Sequence, residues 1–122
     1  MARLKLKLQL YCGDEIAMGP GKADLLEAIV RTGSISAAGR ALKMSYRRAW
    51  LLVDTMNRCF ASPLVETHPG GGQNAGARLT PEGEAALAAY RALSAQVEGG
   101  AAGADFAMLE SAIRPAPLAP KG

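Results

Sequence analysis

Residues Gly33 to Asn57 read GSISAAGRALKMSYRRAWLLVDTMN, and the fold turns on how that stretch is parsed. A segment rich in small residues (Ser36, Ala37, Ala38, Gly39, Ala41) ends at Leu42. Lys43 and Met44 leave room only for a tight connection, and Ser45 then opens a longer amphipathic run through Phe60. Two helices joined by so short a turn approach closely, which Ala and Gly on the first permit. The pattern is that of a helix-turn-helix, whose second helix enters the major groove of DNA.

Within that unit, Ser34 or Ser36 is the expected cap of the shorter helix, since either hydroxyl can accept from an orphan N–H. Ile35, Ala38 and Leu42 would pack inward. Ser45 caps a helix over 46–60. With Ala49 at the centre of its buried face, Leu52, Val53, Met56 and Phe60 fall within about 60° at 100° per residue. Arg47, Leu51, Asp54 and Arg58 then lie opposite, with Arg48 and Thr55 on one shoulder. Tyr46, Trp50 and Asn57 occupy the other shoulder. Trp50 reads as a core or boundary aromatic, and the Tyr46 hydroxyl lies within reach of a phosphate.

Upstream, residues 3–10 (RLKLKLQL) alternate with period two, placing Leu4, Leu6, Leu8 and Leu10 on one side. That is a half-buried strand, which must pair with or lie against something later in the chain. Cys12-Gly13-Asp14-Glu15 reads as a turn. Gly19-Pro20-Gly21 precedes a helix over 22–32 with Leu25, Leu26, Ile29 and Val30 inward, Lys22, Glu27 and Arg31 in water, and Gly33 as its C′ stop.

Downstream, Ser62-Pro63 ends the third helix. Leu64-Val65-Glu66-Thr67 and Ala77-Arg78-Leu79-Thr80 read as antiparallel strands around the glycine-rich loop 68–76, a hairpin wing. Thr80 caps and Pro81 opens a fourth helix over 81–97, which Gly99-Gly100 ends. Glu82 and Glu84 suit its N-terminal dipole. Its alanine-rich faces suit close helix–helix contact, so a homodimer is expected, held by Leu4, Leu6, Leu87, Tyr90, Leu93 and Val97. The fold class is thus mainly α with a small β-hairpin wing: a winged helix-turn-helix with an N-terminal strand and a long C-terminal dimerisation helix. Residues 1–98 form that domain, and 99–122 a short helix over 105–113 and a flexible Pro/Ala-rich tail.

Composition agrees. Of 122 residues 49% are hydrophobic but only 5% aromatic, so aliphatic side chains must fill the core. Residues 1–80 hold eleven Lys/Arg against six Asp/Glu, a net of +5, whereas 81–122 hold three against five, a net of −2. A basic front and an acidic rear suit contact with a polyanion on one side, although a solvated basic surface would look the same. Two cysteines and the lack of a leader-like segment point to the cytoplasm, and no apolar run approaches a bilayer span. Cys12, Cys59 and His68 lack metal-ligand spacing, so neither metal nor cofactor is expected. His68 has no adjacent nucleophile, and Gly70-Gly71-Gly72 lacks a phosphate loop's Lys-Ser/Thr, which argues against an enzyme.

The run Gly33-Ser34-Ile35-Ser36-Ala37-Ala38, then Ser45-Tyr46-x-x-Ala49-Trp50 and Met56-Asn57, is similar to the DNA-binding domain of ModE-like molybdate-responsive transcription regulators. Pro63-Leu64-Val65-Glu66, the glycine-rich loop, Ala77-Arg78-Leu79-Thr80, Gly83 and the N-terminal Leu-Lys-Leu continue the resemblance over residues 3–97. More distantly the chain resembles the winged helix of LysR-type regulators. The resemblance implies a homodimer on an inverted repeat of double-stranded DNA, with the third helix in successive major grooves. It also implies that molybdate is sensed by C-terminal β-barrel domains, which residues 98–122 cannot form. Binding of a molybdate or tungstate oxyanion is therefore not expected of this chain.

Arg47 and Arg48 are the leading candidate DNA contacts, because a guanidinium fork can read guanine or clamp a phosphate. Ser45 and Tyr46 begin the same helix. Ser34, Ser36 and Arg40 are candidate phosphate partners, with capping or solvation as the alternative. Lys43 in the turn and Gly71, Gly72, Gln73, Asn74 and Arg78 in the wing complete the set. Arg78 could instead pair with Glu66 across the hairpin. The competing reading is a winged-helix interaction module that works with a separate sensor protein.

Overall fold

Gly33, at φ +78°, closes the first helix by donating its N–H to the Ile29 carbonyl at 2.8 Å, and the chain turns there into the helix-turn-helix. The computed structural model describes residues 2–68 and 76–121. In chain order these form β1 (Leu10–Cys12), β2 (Glu15–Met18), α1 (Pro20–Thr32), α2 (Ile35–Ala41) and α3 (Tyr46–Cys59). Then come β3 (Val65–His68), β4 (Gly76–Leu79), α4 (Pro81–Gly100) and α5 (Ala104–Ala112).

α1 is the hub, packing against α2, α3, α4 and β4. Its Ala23, Leu25, Leu26, Ala28 and Ile29 are at most 1% exposed. Ile35 and Ala38 of α2, Ala49, Val53 and Met56 of α3, and Leu64, Val65, Ala77 and Leu79 around the hairpin complete one core. Leu42, Leu52 and Phe60 are half-buried against it. Val30, expected inward, stands 63% exposed, because no described residue covers that side at the last turn of α1.

Ser34, rather than Ser36, caps α2, its Oγ accepting from the Ala37 N–H at 2.9 Å. Ser45 caps α3, accepting from the Arg48 N–H at 3.1 Å. Between them Lys43 adopts φ +60°, and the Met44 N–H donates to the Gly39 carbonyl at 2.9 Å. Gly39 is where the two helices touch: a Cβ added there would lie 3.2 Å from the Ala49 Cβ. The wing strands pair antiparallel, Val65 opposite Leu79 through His68 opposite Gly76.

Three expectations are corrected. The N-terminal strand is only Leu10–Cys12, paired with β2 across the Cys12–Glu15 turn. Residues 2–9 carry no ladder; the Leu8 carbonyl accepts from the Tyr90 hydroxyl at 2.8 Å, and Leu6 and Leu8 lie beside Tyr90, Ser94 and Val97. Period-two alternation therefore records a strip laid along α4. The second correction is Tyr90 itself, assigned to a dimer interface but 5% exposed in the chain's own core. Leu87 is also half-buried against that core, while Leu4, Leu6, Leu93 and Val97 remain 37–46% exposed. Third, α4 runs through Gly99 and Gly100 to a cap at Ala101. Glycine costs a helix only about 1 kcal/mol against alanine, and terminal positions bear it most easily. α5 spans 104–112, close to expectation, and buries none of its residues.

Candidate nucleic-acid interface

The first turn of α3 stands out from the body of the molecule. The Ser45 cap fixes where the helix starts, and the burial of Ala49, Val53 and Met56 fixes its rotation. Those two constraints leave Tyr46, Arg47 and Arg48 exposed on the outer side. Arg40 at the end of α2 and Lys43 in the turn are exposed beside them. Arg40 donates from Nη1 to the Ser36 Oγ at 2.8 Å, which orients the guanidinium and leaves its charge uncompensated.

Three arginines elsewhere are ion-paired. Arg58 reaches Glu15 at 3.0 Å and Asp54 at 2.9 Å, tying the end of α3 to the first hairpin. The Arg58 guanidinium hydrogen-bonds the Glu15 carboxyl and holds it below its ordinary value. Arg91 joins α4 to Asp24 and Glu27 of α1 at 2.8 and 2.5 Å. Arg78 pairs with Glu66 across the wing, the alternative raised for it, in an exposed ion pair. Among the described residues Arg40, Lys43, Arg47 and Arg48 take part in no ion pair. Lys22, read as water-facing, is half-buried; burial lowers its pKa, and the nearby Arg48 charge acts in the same direction.

Between α2, α3 and the wing lies an open groove of about 300 Å³. Ser34, Ser36, Tyr46, Trp50, Thr67 and His68 line it. It joins the candidate residues of both helices to the base of the wing. Gly71, Gly72, Gln73 and Asn74 lie outside the described residues.

Two features escaped the sequence reading. Asn57, left on a shoulder of α3, clamps the chain that leaves it. Its Oδ1 accepts from the N–H groups of Leu64 at 2.8 Å and Val65 at 3.2 Å, and its Nδ2 donates to the Val65 carbonyl at 3.0 Å. This fixes the wing relative to α3. Its only signal was a polar residue beside a buried face. The other is a contact: Trp50, at 37% exposure the boundary aromatic expected, meets Tyr46 edge to face, ring centroids 6.3 Å apart. The cysteines are free, and burial followed by the neighbouring Cys12 pushes the Cys59 thiol up. No cluster of metal-ligating side chains occurs among the described residues. No helix there is long and apolar enough to cross a membrane.

Comparison with known proteins places this geometry. Residues 22–84 match the family described as bacterial regulatory helix-turn-helix protein, lysR family. The chain is 51% identical over 80 residues to the molybdenum-pterin-binding protein MopB of Rhodobacter capsulatus, covering 66% of this chain and 30% of that protein. It is 42% identical over 82 residues to the molybdenum transport protein ModE of Azotobacter vinelandii, covering 67% and 30%. With the DNA-binding transcriptional dual regulator ModE of Escherichia coli K12 it shares 35% over 91 residues, covering 75% and 33%. The chain thus spans about a third of the length of these relatives. A crystal structure of a CbnR DBD–DNA complex shares the fold, with TM-score 0.52 at 21% identity over 75% of this chain and 95% of that one. Full-length LysG of Corynebacterium glutamicum gives TM-score 0.52 at 25% identity, covering 79% and 30%.

Proposed function

The chain belongs to the lysR family of bacterial regulatory helix-turn-helix proteins, which are DNA-binding transcription regulators, and from that premise we propose how it binds. The first turn of α3 enters the major groove, where Arg47 and Arg48 contact base edges or the flanking backbone. Ser34, Ser36, Arg40 and Lys43 hold the phosphates on either side. The observation that carries this reading is the clustering on the α2–α3 surface of four exposed cations, Arg40, Lys43, Arg47 and Arg48, none of which takes part in an ion pair among the described residues.

A second copy completes the proposal. Leu4, Leu6, Leu93 and Val97 are exposed apolar side chains, Leu6 lying beside Val97 of α4, and a second copy that covers them would present two α3 helices to an inverted repeat. Genes of molybdenum metabolism are the regulated set this reading favours, supported by relatives named as a molybdenum-pterin-binding protein and a molybdenum transport protein. Calorimetry with molybdate on this chain should give no heat, since nothing described here offers it a buried polar cradle.

Fluorescence anisotropy on duplexes selected from a random pool tests the reading. Arg47→Ala and Arg48→Ala should each weaken binding by about 1 kcal/mol or more, or blur base preference. Unchanged affinity in both variants would remove α3 from the interface. A second reading, an interaction module acting with a separate sensor protein, draws on α5, whose Met108, Leu109 and nearby Ile113 are 57–65% exposed. Failure to shift any duplex at about 50 mM salt, with a stable heteromeric complex, would favour it.

A further inference from the structure

Three large apolar side chains stand on the outer side of α3 within six residues: Tyr46 at 57%, Trp50 at 37% and Leu51 at 53% exposure. The inward face of the helix is filled by Ala49, Val53 and Met56, while Tyr46 and Leu51 stay more than half exposed and Trp50 more than a third. They do not lie loose. Tyr46 and Trp50, one turn apart, meet at an interplanar angle of 79°, which orients the indole. Together with Arg47 and Asp54 the three line one shallow surface. The carboxylate on that surface is matched, since Arg58 donates to Asp54 at 2.9 Å. An apolar ridge flanked by unpaired cations fits a partner that is anionic at its rim and carries apolar groups at its centre. The major groove is such a surface, and the apolar group on its base edges is the pyrimidine C5-methyl.

We infer that the ridge formed by Tyr46, Trp50 and Leu51 reads pyrimidine C5-methyl groups, so that each half-site carries a methylated pyrimidine against the first turns of α3. This rests on the DNA-binding reading above and adds the chemistry that α3 selects. Two bases supply that methyl group, thymine and 5-methylcytosine. A guanidinium beside an apolar ridge discriminates at two levels: the fork by hydrogen bonding, the ridge by excluding water from a methyl. Burying one methyl-sized group is worth about 0.8 kcal/mol, about fourfold in affinity.

The test uses the full chain and its selected duplex, with each thymine replaced in turn by deoxyuridine, which removes the methyl and leaves the base-pairing and groove hydrogen-bond groups intact. At one or two positions per half-site affinity should fall about fourfold. Leu51→Ala, at an exposed site that folding tolerates, and Trp50→Ala should bind more weakly and lose sensitivity to those positions. Arg47→Ala should keep it. A parallel series places 5-methylcytosine at each cytosine: strengthened binding there, with deoxyuridine silent, assigns the methyl to modified cytosine. If the parent binds tightly and neither series changes its affinity, the ridge does not read methyl groups, although the DNA-binding reading survives. A parent that binds no duplex overturns both.

Discussion

Replacing Asn57 by alanine tests the link between recognition helix and wing. The side chain makes three hydrogen bonds to the backbone of Leu64 and Val65, at 2.8, 3.2 and 3.0 Å. Leu64 is 1% exposed and Val65 3%, so water does not readily replace the lost partner. A buried donor left unmatched costs about 1–3 kcal/mol. The Leu64 N–H should bear most of that; the Val65 bonds, longer and next to the start of a ladder, add less. Asn57→Ala should therefore lower stability by about 2–4 kcal/mol, measured by urea unfolding with an unchanged slope. For a domain of this size the melting midpoint should fall by on the order of 10 °C. Because the clamp sets the wing against α3, DNA affinity should also drop under conditions where the variant is still folded. Stability within about 0.5 kcal/mol of the parent, the ordinary range for a surface change, would refute the clamp.

Other perturbations address separate contacts. Gly39→Val should destabilise by about 1–3 kcal/mol, as overpacking does, since even a Cβ at that site lies 3.2 Å from the Ala49 Cβ; thermal melts read it. Tyr90→Phe removes the 2.8 Å bond to the Leu8 carbonyl, and limited proteolysis should then cut residues 3–9 faster with the core intact. The Glu15 carboxyl is held below its ordinary 4.5 by Arg58, so its contribution is full above that value and fades as pH falls through the depressed one. The stability gap between the parent and Arg58→Gln should accordingly narrow as urea midpoints are followed from neutral pH to below 4.5.

Much of the fold was legible because local signals agreed with packing. Ser45, Thr80 and Gly33 sit at helix ends where their chemistry predicts, and the apolar periodicity of 46–60 gave the buried face of α3 correctly. What failed depended on tertiary neighbours. Alternation in residues 3–10 shows which side is apolar, but whether a ladder or the flank of α4 covers it is set by an element 82 residues away in the chain. Tyr90 looked available because periodicity counts faces and not what already occupies them. Asn57 was legible only as polar, since its partners lie across the turn that follows α3. For the interface, the spacing of Arg47 and Arg48 beside a capped helix start was readable. That Arg78, Arg58 and Arg91 would be matched by Glu66, Glu15 and Asp24, leaving the α2–α3 cations free, required the structure.

The central claim is that those free cations meet the phosphates and bases of a duplex. Its most direct test is the salt dependence of binding to a selected palindromic duplex, for the parent and for Arg47→Ala/Arg48→Ala. If Arg40, Lys43, Arg47 and Arg48 all displace counterions, log K should fall against log salt with a slope of about −3 to −4 per protomer. The double variant should lose up to about 2 units of that slope or much of its sequence preference. A parent that binds with a slope near zero, or a double variant identical to it in slope, affinity and preference, would contradict the account.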